Sequence, residues 1–406
     1  MKRYPWRHLP VLGKGKTVVG NNYDAIIIGA GSVGLPAAYF LSREDLSVLV
    51  IDKEHSQGQG QNKSAIGGVR ATHSDPAKIS ICLQSLELFS NWEKEHGRDI
   101  GWKGGGYCYP VYREEDELTL RGLLPVQKEY KLNIDWISAD EIKELVPGIN
   151  PEGLRGGTYA PGDGQVSPLQ AAASFWDESR KLGAEFIFDC RVNGLIMEGG
   201  RIQGVETEKG NYYSGVVVNA AGARAREIGM MAGIDIPVFP DSHEAGITSA
   251  VQPFLEPLIV DIRPGPYNKT SNFYFGQNDR GQIIFCYTPL DPFKGENRSS
   301  TSEFMPILSR RLIDLIPRLK NILVRRVWRG LYPMTPDGII ILDEVREVEG
   351  FYLAVGMCGQ GFMLGPGVGM NMASLITRGE PAIDRDVFKS LSLYRDFRSS
   401  RAESLK

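Results

Sequence analysis

The chain has 406 residues, 42% of them apolar, and a net charge of −3, so it can bury two cores and offers no basic field for nucleic acid. No apolar run reaches the length of a membrane span and the first residues lack the apolar core of a signal peptide, which predicts a soluble, cytoplasmic protein without a transmembrane segment. The five cysteines, Cys82, Cys108, Cys190, Cys286 and Cys358, show no CxxC spacing, so neither a metal site nor a disulfide framework is expected.

Residues 1–22, with Lys2, Arg3, Arg7, Lys14 and Lys16, have no clear period and read as an N-terminal surface arm. The stretch 23–54 carries the strongest signal. Ala25-Ile26-Ile27-Ile28 reads as a buried parallel strand and Gly29-Ala30-Gly31-Ser32-Val33-Gly34 as a GxGxxG turn. Residues 35–42 then read as a helix, and 47–51 as a second strand closed by Asp52. Gly29 permits the turn, Gly31 lets backbone approach phosphate, and Gly34 lets helix and strand pack closely, while unpaired amides and the helix dipole hold the anion. Asp52 stands where a carboxylate can accept hydrogen bonds from ribose hydroxyls. A lone GxGxxG is weak; framed by strand, helix, strand and acid it predicts a dinucleotide site. FAD and NAD(P) remain open, because both share an ADP half.

Apolar positions from 76 to 95 recur at helical spacing, and Ser138-Ala139-Asp140-Glu141 reads as a capping box whose helix must stop near Pro147. Ser167-Pro168 opens another helix, 184–188 is a strand, 199–207 a hairpin, and the apolar strand 215–219 returns to nucleotide-domain character. Residues 236–325 differ, with short alternating strands at 272–275 and 282–287 and a helix through 310–316. Asn219-Ala220-Ala221-Gly222 follows a buried strand with only small residues, as a loop lying against a cofactor requires. Residues 356–364 follow the strand 351–355 and lead into a small-residue helix at 366–375, so a second helix N-terminus aims its amides at a ligand. In a flavoenzyme that target is the pyrimidine end of the isoalloxazine, where fixed dipoles stabilise the reduced ring.

Five segments together resemble the D-amino-acid oxidase-like family of FAD oxidoreductases, which includes sarcosine oxidases, glycine oxidase and dye-linked L-proline dehydrogenases. They are Ile28-Gly29-Ala30-Gly31-Ser32-Val33-Gly34, Gly67-Gly68-Val69-Arg70, Asn219-Ala220-Ala221-Gly222, the run from Gly330-Leu331-Tyr332-Pro333 to Gly338, and Gly359-Gln360-Gly361-Phe362-Met363. The resemblance spans roughly 23–380 and is strongest to the sarcosine oxidase β-subunit and proline dehydrogenase branch. It implies an α/β Rossmann-type FAD-binding domain, discontinuous over 23–90, 150–235 and 326–382. An inserted antiparallel β-rich substrate domain would take 91–149 and 236–325, leaving 383–406 as a C-terminal tail. It also implies hydride transfer from the carbon beside a substrate nitrogen to flavin N5, giving an imine that hydrolyses.

The same resemblance assigns roles. Arg70 falls where monomeric sarcosine oxidases grip the substrate carboxylate, and a planar guanidinium suits that task; an ordinary structural ion pair is the alternative. Tyr332 stands where glycine and D-amino-acid oxidases use an arginine, and Met363 where sarcosine oxidases use a lysine, so a more apolar substrate is implied. Tyr274 is a further carboxylate donor, and His243 or Glu244 a proton acceptor for a substrate ammonium. Lys53, Lys63 and Ser64 match positions near the FAD phosphates or adenosine, and Val192 offers backbone to adenine. Ala221, Gly222, Gly359, Gly361 and Phe362, with Met363, fall beside the cofactor. Gly330 replaces the cysteine that tethers FAD in some members, and 167–175 contain no histidine, so FAD is expected to be non-covalent and without a second tethered flavin. The oxygen-activating lysine falls near Ile284, which favours a dehydrogenase. The function expected is therefore oxidation of the C–N bond of an amino acid or N-alkyl amino acid of the proline, sarcosine or glycine class. The alternatives are a 2-hydroxy-acid dehydrogenase and a flavin-binding subunit that works with a partner subunit or separate electron acceptor.

Overall fold

The computed structural model describes residues 20–265, 269–398 and 405. Up to residue 19, the expected N-terminal arm lies outside the described residues. Two sheets organise the rest. The first has six strands in the order Ile341–Glu344, Phe351–Val355, Val217–Asn219, Ala25–Ile28, Val48–Ile51 and Glu185–Ile187. All neighbours pair in parallel except the first two, which form an antiparallel edge. The apolar run Ala25-Ile26-Ile27-Ile28 is fully buried because helices cover one face of this sheet and the antiparallel ribbon Val192–Glu198, Arg201–Thr207, Gly210–Tyr213 lies over the other.

Helix Gly34–Arg43 follows the first strand directly, and helix Gly361–Arg378 packs on it. Both contacts need glycine. A Cβ at Gly34 would collide with the Gly29 carbonyl oxygen, and one at Gly365 with the Ser32 carbonyl oxygen. A Cβ at Gly369, one turn beyond Gly365 on the same face, would come within 2.6 Å of the Pro36 carbonyl carbon. Helix Pro76–His96 closes the layer on the other flank of Gly361–Arg378; its N-cap is Asp75 and its C-cap Gly97, in the left-handed region at φ 65°.

The second sheet has nine strands, with the long strand Phe239–Ala250 paired to Gln282–Pro289 on one side and to Val324–Met334 on the other. It continues through Thr270–Gln277, Leu258–Asp261, Tyr107–Val111, Gly156–Ala160 and Asp135–Ile137. Gly156–Ala160 and residues 326–334 of Val324–Met334, expected in the nucleotide-domain spans, pair within this sheet. Val324–Met334 is one strand, paired in register from Phe239↔Met334 to Ile247↔Arg326 with a shift before Thr248↔Val324, and that pairing decides its place more strongly than its charged, weakly alternating sequence.

Local expectations hold closely elsewhere. Ser138 and Glu141 form the reciprocal capping box at the start of Ala139–Leu145, which stops before Pro147. In the segment expected as a C-terminal tail, the described residues pack on the body: Arg395 makes a two-pronged pair with Asp337 at 2.7 and 3.0 Å, and Leu405 is buried. Among the described residues, no helix is long and apolar enough to cross a membrane.

The glycine seam generates a prediction. Gly365→Ala must push the two helices apart, and overpacking of this kind costs about 1–3 kcal/mol. A fall in the urea midpoint of unfolding is expected; an unchanged midpoint would show that the helices can separate freely.

Candidate active site

A cavity of about 760 Å³ runs between the two sheets. Its nucleotide-sheet wall carries Gly29, Gly31, Ser32, Val33, Asp52, Lys53, Val192, Ala221 and Gly222, and Ser64 also lines it. Gly29 adopts φ 112°, and a Cβ there would lie 2.5 Å from the Ala220 carbonyl oxygen, so the turn and the 219–222 loop interlock. A Cβ at Gly31 would meet nothing within 4 Å, which leaves its backbone open to an approaching group. Ala30 and Gly34 do not line the cavity; they build it. The Ala30 N–H donates to Asp52 Oδ2 at 2.6 Å, and the Glu54 N–H to Oδ1 at 2.9 Å. The Asp52 carboxylate thus holds the glycine turn, and Glu54 lines the cavity beside it. Lys63 lies outside the lining, with its ammonium 3.4 Å from Gln59 Oε1 on the exposed side of its short helical turn.

Two helix N-termini face this space. Neither Gly34–Arg43 nor Gly361–Arg378 has a side-chain N-cap or an acidic residue in its first turn. Their amides are therefore available to an anion or a partially negative ring. Gly359, Gly361, Phe362 and Met363 line the cavity at the second helix. Gly359 has φ 80°, and a Cβ would collide with the Tyr332 ring, so this loop is shaped around that tyrosine. The Gln360 Oε1 atom is buried without a hydrogen-bond partner among the described residues. Interlocked glycine turn, uncapped helix ends and orphaned acceptor fit a dinucleotide.

The second sheet supplies a polar cluster. Tyr274 Oη lies 3.0 Å from Tyr332 Oη and donates to Cys286 Sγ at 3.0 Å. His243 stacks on the Tyr332 ring with centroids 3.8 Å apart. Burial raises both phenols well above their ordinary range and pushes the Cys286 thiol up to about 12, so all three stay protonated near neutral pH. They therefore act as neutral donors. His243 Nε2 is 3.4 Å from Asp241 Oδ1, and both Asp241 Oδ1 and His243 Nδ1 are buried without a hydrogen-bond partner among the described residues. Two such groups in one cavity require a ligand or water.

Strand parity corrects the expectation for Glu244. Asp241, His243 and Ala245 face the cavity, whereas Glu244 points to the opposite face, bonded to Thr301 and paired with Arg329 at 3.0 Å. The acid beside His243 is Asp241. The same alternation was legible in the sequence, since choosing His243 as inward-facing selects 241 and excludes 244. Ile284 likewise does not line the cavity; Cys286 and Thr288 do.

Arg70 lines the cavity and is 6% exposed. Its guanidinium donates to the Thr72 carbonyl, lies 3.2 Å from His73 Nδ1, and donates to the Leu405 carbonyl at 2.7 Å. Lys78, fully buried, also lines the cavity and donates to the Gly338 carbonyl at 2.7 Å. A buried lysine on an otherwise regular helix leaves no sequence signal. Asp163, fully buried beneath this wall, accepts from the Ala71 N–H at 2.9 Å and the Thr72 hydroxyl at 2.7 Å.

Comparison with known proteins gives one consistent picture. The family profile described as "FAD dependent oxidoreductase", DAO, matches residues 24–375. Hydrogen cyanide synthase subunit HcnC of Pseudomonas aeruginosa is 27% identical, over 88% of this chain and 93% of that protein. Sarcosine oxidase subunit beta of Rhizobium meliloti is 24% identical, over 93% of this chain and 89% of that protein. The crystal structure of L-proline dehydrogenase from P. horikoshii superposes with a TM-score of 0.86 at 29% identity, covering 93% of this chain and 98% of that one.

Burial raises the Asp163 carboxyl to about 6. With an exposed aspartate near about 4, the native state binds this proton more tightly, so its contribution to stability is full below about pH 4 and is lost as pH rises through about 6. Two units correspond to about 3 kcal/mol. Asp163→Asn is expected to flatten the fall in melting temperature between pH 4 and 6.5; an unchanged slope in calorimetric scans would exclude this assignment.

Proposed function

The chain belongs to the DAO family of FAD-dependent oxidoreductases, and from that premise we propose that it oxidises the C–N bond of a small amino acid or N-alkyl amino acid of the proline, sarcosine or glycine class. The observation that carries this reading is a buried arginine, Arg70, sharing one cavity with the neutral Tyr274–Tyr332 pair and with the glycine turn of the nucleotide sheet. Names of similar proteins support it, since these include a sarcosine oxidase subunit and an L-proline dehydrogenase.

Gly29, Gly31 and Ser32 would hold the pyrophosphate and Asp52 the ribose; Gly361, Phe362 and Met363 would flank the flavin. Bound FAD supplies a two-electron acceptor for the hydrogen on the carbon next to the substrate nitrogen. The chain's own residues do the rest. The Arg70 guanidinium binds the carboxylate through charge-assisted hydrogen bonds in a site of low dielectric. Tyr274 and Tyr332, kept protonated by burial, orient the substrate by donation and add no competing charge. His243, with Asp241 beside it, accepts the ammonium proton, so that the nitrogen lone pair is free to assist C–H cleavage. Met363 gives the ring or alkyl group an apolar neighbour. Gly330 lines the cavity with no side chain to form a thioether, which supports non-covalent FAD.

Relatives that are named as subunits support a second reading, in which the same chemistry needs a partner subunit to carry electrons away. Anaerobic titration of the FAD-loaded chain with a panel of amino and hydroxy acids tests the first: bleaching by L-proline or sarcosine is expected. Bleaching by 2-hydroxy acids alone would reverse the substrate class, and no bleaching without a partner would favour the subunit reading. Arg70→Met is expected to lower the second-order rate of bleaching by roughly 100-fold or more, as loss of a buried charge-assisted contact implies; a wild-type rate would remove Arg70 from the site. On strand Gln282–Pro289, where the resemblance puts the oxygen-activating cation, the cavity-lining residues Cys286 and Thr288 are uncharged, so stopped-flow reoxidation of the reduced enzyme is expected to be no faster than that of free reduced flavin.

A further inference from the structure

Asp241 and Tyr332 are register partners on neighbouring strands, so their side chains stand side by side on the cavity face of the second sheet. The Tyr332 ring is the one around which Gly359 is shaped, just before helix Gly361–Arg378. Asp241 therefore stands next to the residue that meets this loop.

The surroundings of its carboxylate are incomplete. Asp241 is 7% exposed, and its Oδ1 atom has no hydrogen-bond partner among the described residues. The two nearest phenols are already engaged, since Tyr274 and Tyr332 bond to each other and Tyr274 donates to Cys286. Lys294, the register partner of Asp241 on its other side, is exposed and makes no ion pair with it. His243, with Nε2 at 3.4 Å from Oδ1, is the one ion-pair partner among the described residues, and it carries charge only when protonated. The fold thus supplies no permanent cation here. A carboxylate taken out of bulk water without one is costly, so the cavity is complementary to a ligand that brings positive charge and hydrogens to donate.

An ammonium meets both requirements. A hydroxyl of the same size offers one hydrogen and no charge, and leaves the carboxylate uncompensated. Holding an ammonium here does not oppose its later deprotonation. When a proton leaves the ligand nitrogen for the imidazole, whose Nδ1 is unpartnered among the described residues, one N–H bond breaks and another forms. The positive charge then stays on the group that already faces Asp241.

We propose that Asp241 is the specificity-determining residue of a subsite for the ligand nitrogen, selecting amino acids that arrive as ammonium carboxylates over 2-hydroxy acids of the same shape. This inference rests on the reading of the cavity as an amine-oxidising site.

The test uses the FAD-loaded chain and two probes of one shape, 2-aminoisobutyrate and 2-hydroxyisobutyrate, which differ only in an ammonium against a hydroxyl. Neither has a hydrogen on the carbon beside its carboxylate, so neither can reduce the flavin. Binding is read by the change in flavin absorbance or, where that does not move, by titration calorimetry. Wild type is expected to bind 2-aminoisobutyrate roughly tenfold more tightly or better. Asp241→Asn, which keeps the size of the side chain and removes its charge, should lower that preference roughly tenfold or more by weakening 2-aminoisobutyrate alone. Asp241→Glu should restore part of it. FAD content and melting temperature identify a variant that fails to fold, and Asp241→Ser serves if Asp241→Asn does. A wild-type preference in Asp241→Asn, or a parallel loss of both probes, would overturn the role of Asp241. If L-proline or sarcosine still bleaches the wild-type flavin, amine oxidation then stands without it. Wild type that fails to prefer 2-aminoisobutyrate would also overturn the proposal, and bleaching by 2-hydroxy acids alone would remove the reading beneath it as well.

Discussion

The close crossing of helix Gly34–Arg43 and helix Gly361–Arg378 is the constraint on which the site depends. Gly365 and Gly369 lie against the backbone of Ser32, Pro36 and Ala37 at distances no larger residue tolerates. That contact brings together two helix N-termini separated by more than 300 residues of sequence, and both arrive at one cavity with their amides uncapped. Gly29 and Gly34 add the second half of the arrangement by letting strand, turn and helix nest against Ala220 and each other. Close backbone packing here is a way of aiming dipoles. The amides cost nothing to reorganise when a negative group arrives, because the fold has already oriented them.

Against this rigid nucleotide wall the second sheet sets a wall of neutral polar groups. Burial keeps Tyr274, Tyr332 and Cys286 protonated, and Arg70 provides positive charge at the same cavity. Asp241 and His243 sit close enough to influence one another while each retains a buried atom without a hydrogen-bond partner among the described residues. A folded interior seldom leaves such atoms unsatisfied, so the pair marks a place where a ligand or water completes the structure. The division of labour follows from dielectric: charge where an anion binds, neutral donors where charge would be costly to bury.

Much of this was legible along the chain, and for identifiable reasons. The turn 29–34, the capping box at Ser138 and the strand 351–355 depend on local sterics and hydrogen bonding, which neighbouring residues dictate. The resemblance carried FAD and the family, both later supported by the match over 24–375. Parity along Phe239–Ala250 contained the correct acid, Asp241, since side chains alternate strictly across a sheet. The direction of Lys63, which turns to Gln59 outside the cavity lining, was not legible, because an exposed lysine leaves no trace of its direction in sequence.

Composition, periodicity and the glycine pattern by themselves determined a chain able to bury more than one core, its first strand–turn–helix and the positions of most local elements, because these obey short-range rules. Only the tertiary structure decided that Gly156–Ala160 and Val324–Met334 join the second sheet, that Lys78 and Asp163 are buried, and that Leu405 reaches Arg70. Strand partners and burial depend on which distant segments win the competition for one another's backbone and apolar surface. That competition is settled across the whole chain, so no local stretch records its outcome.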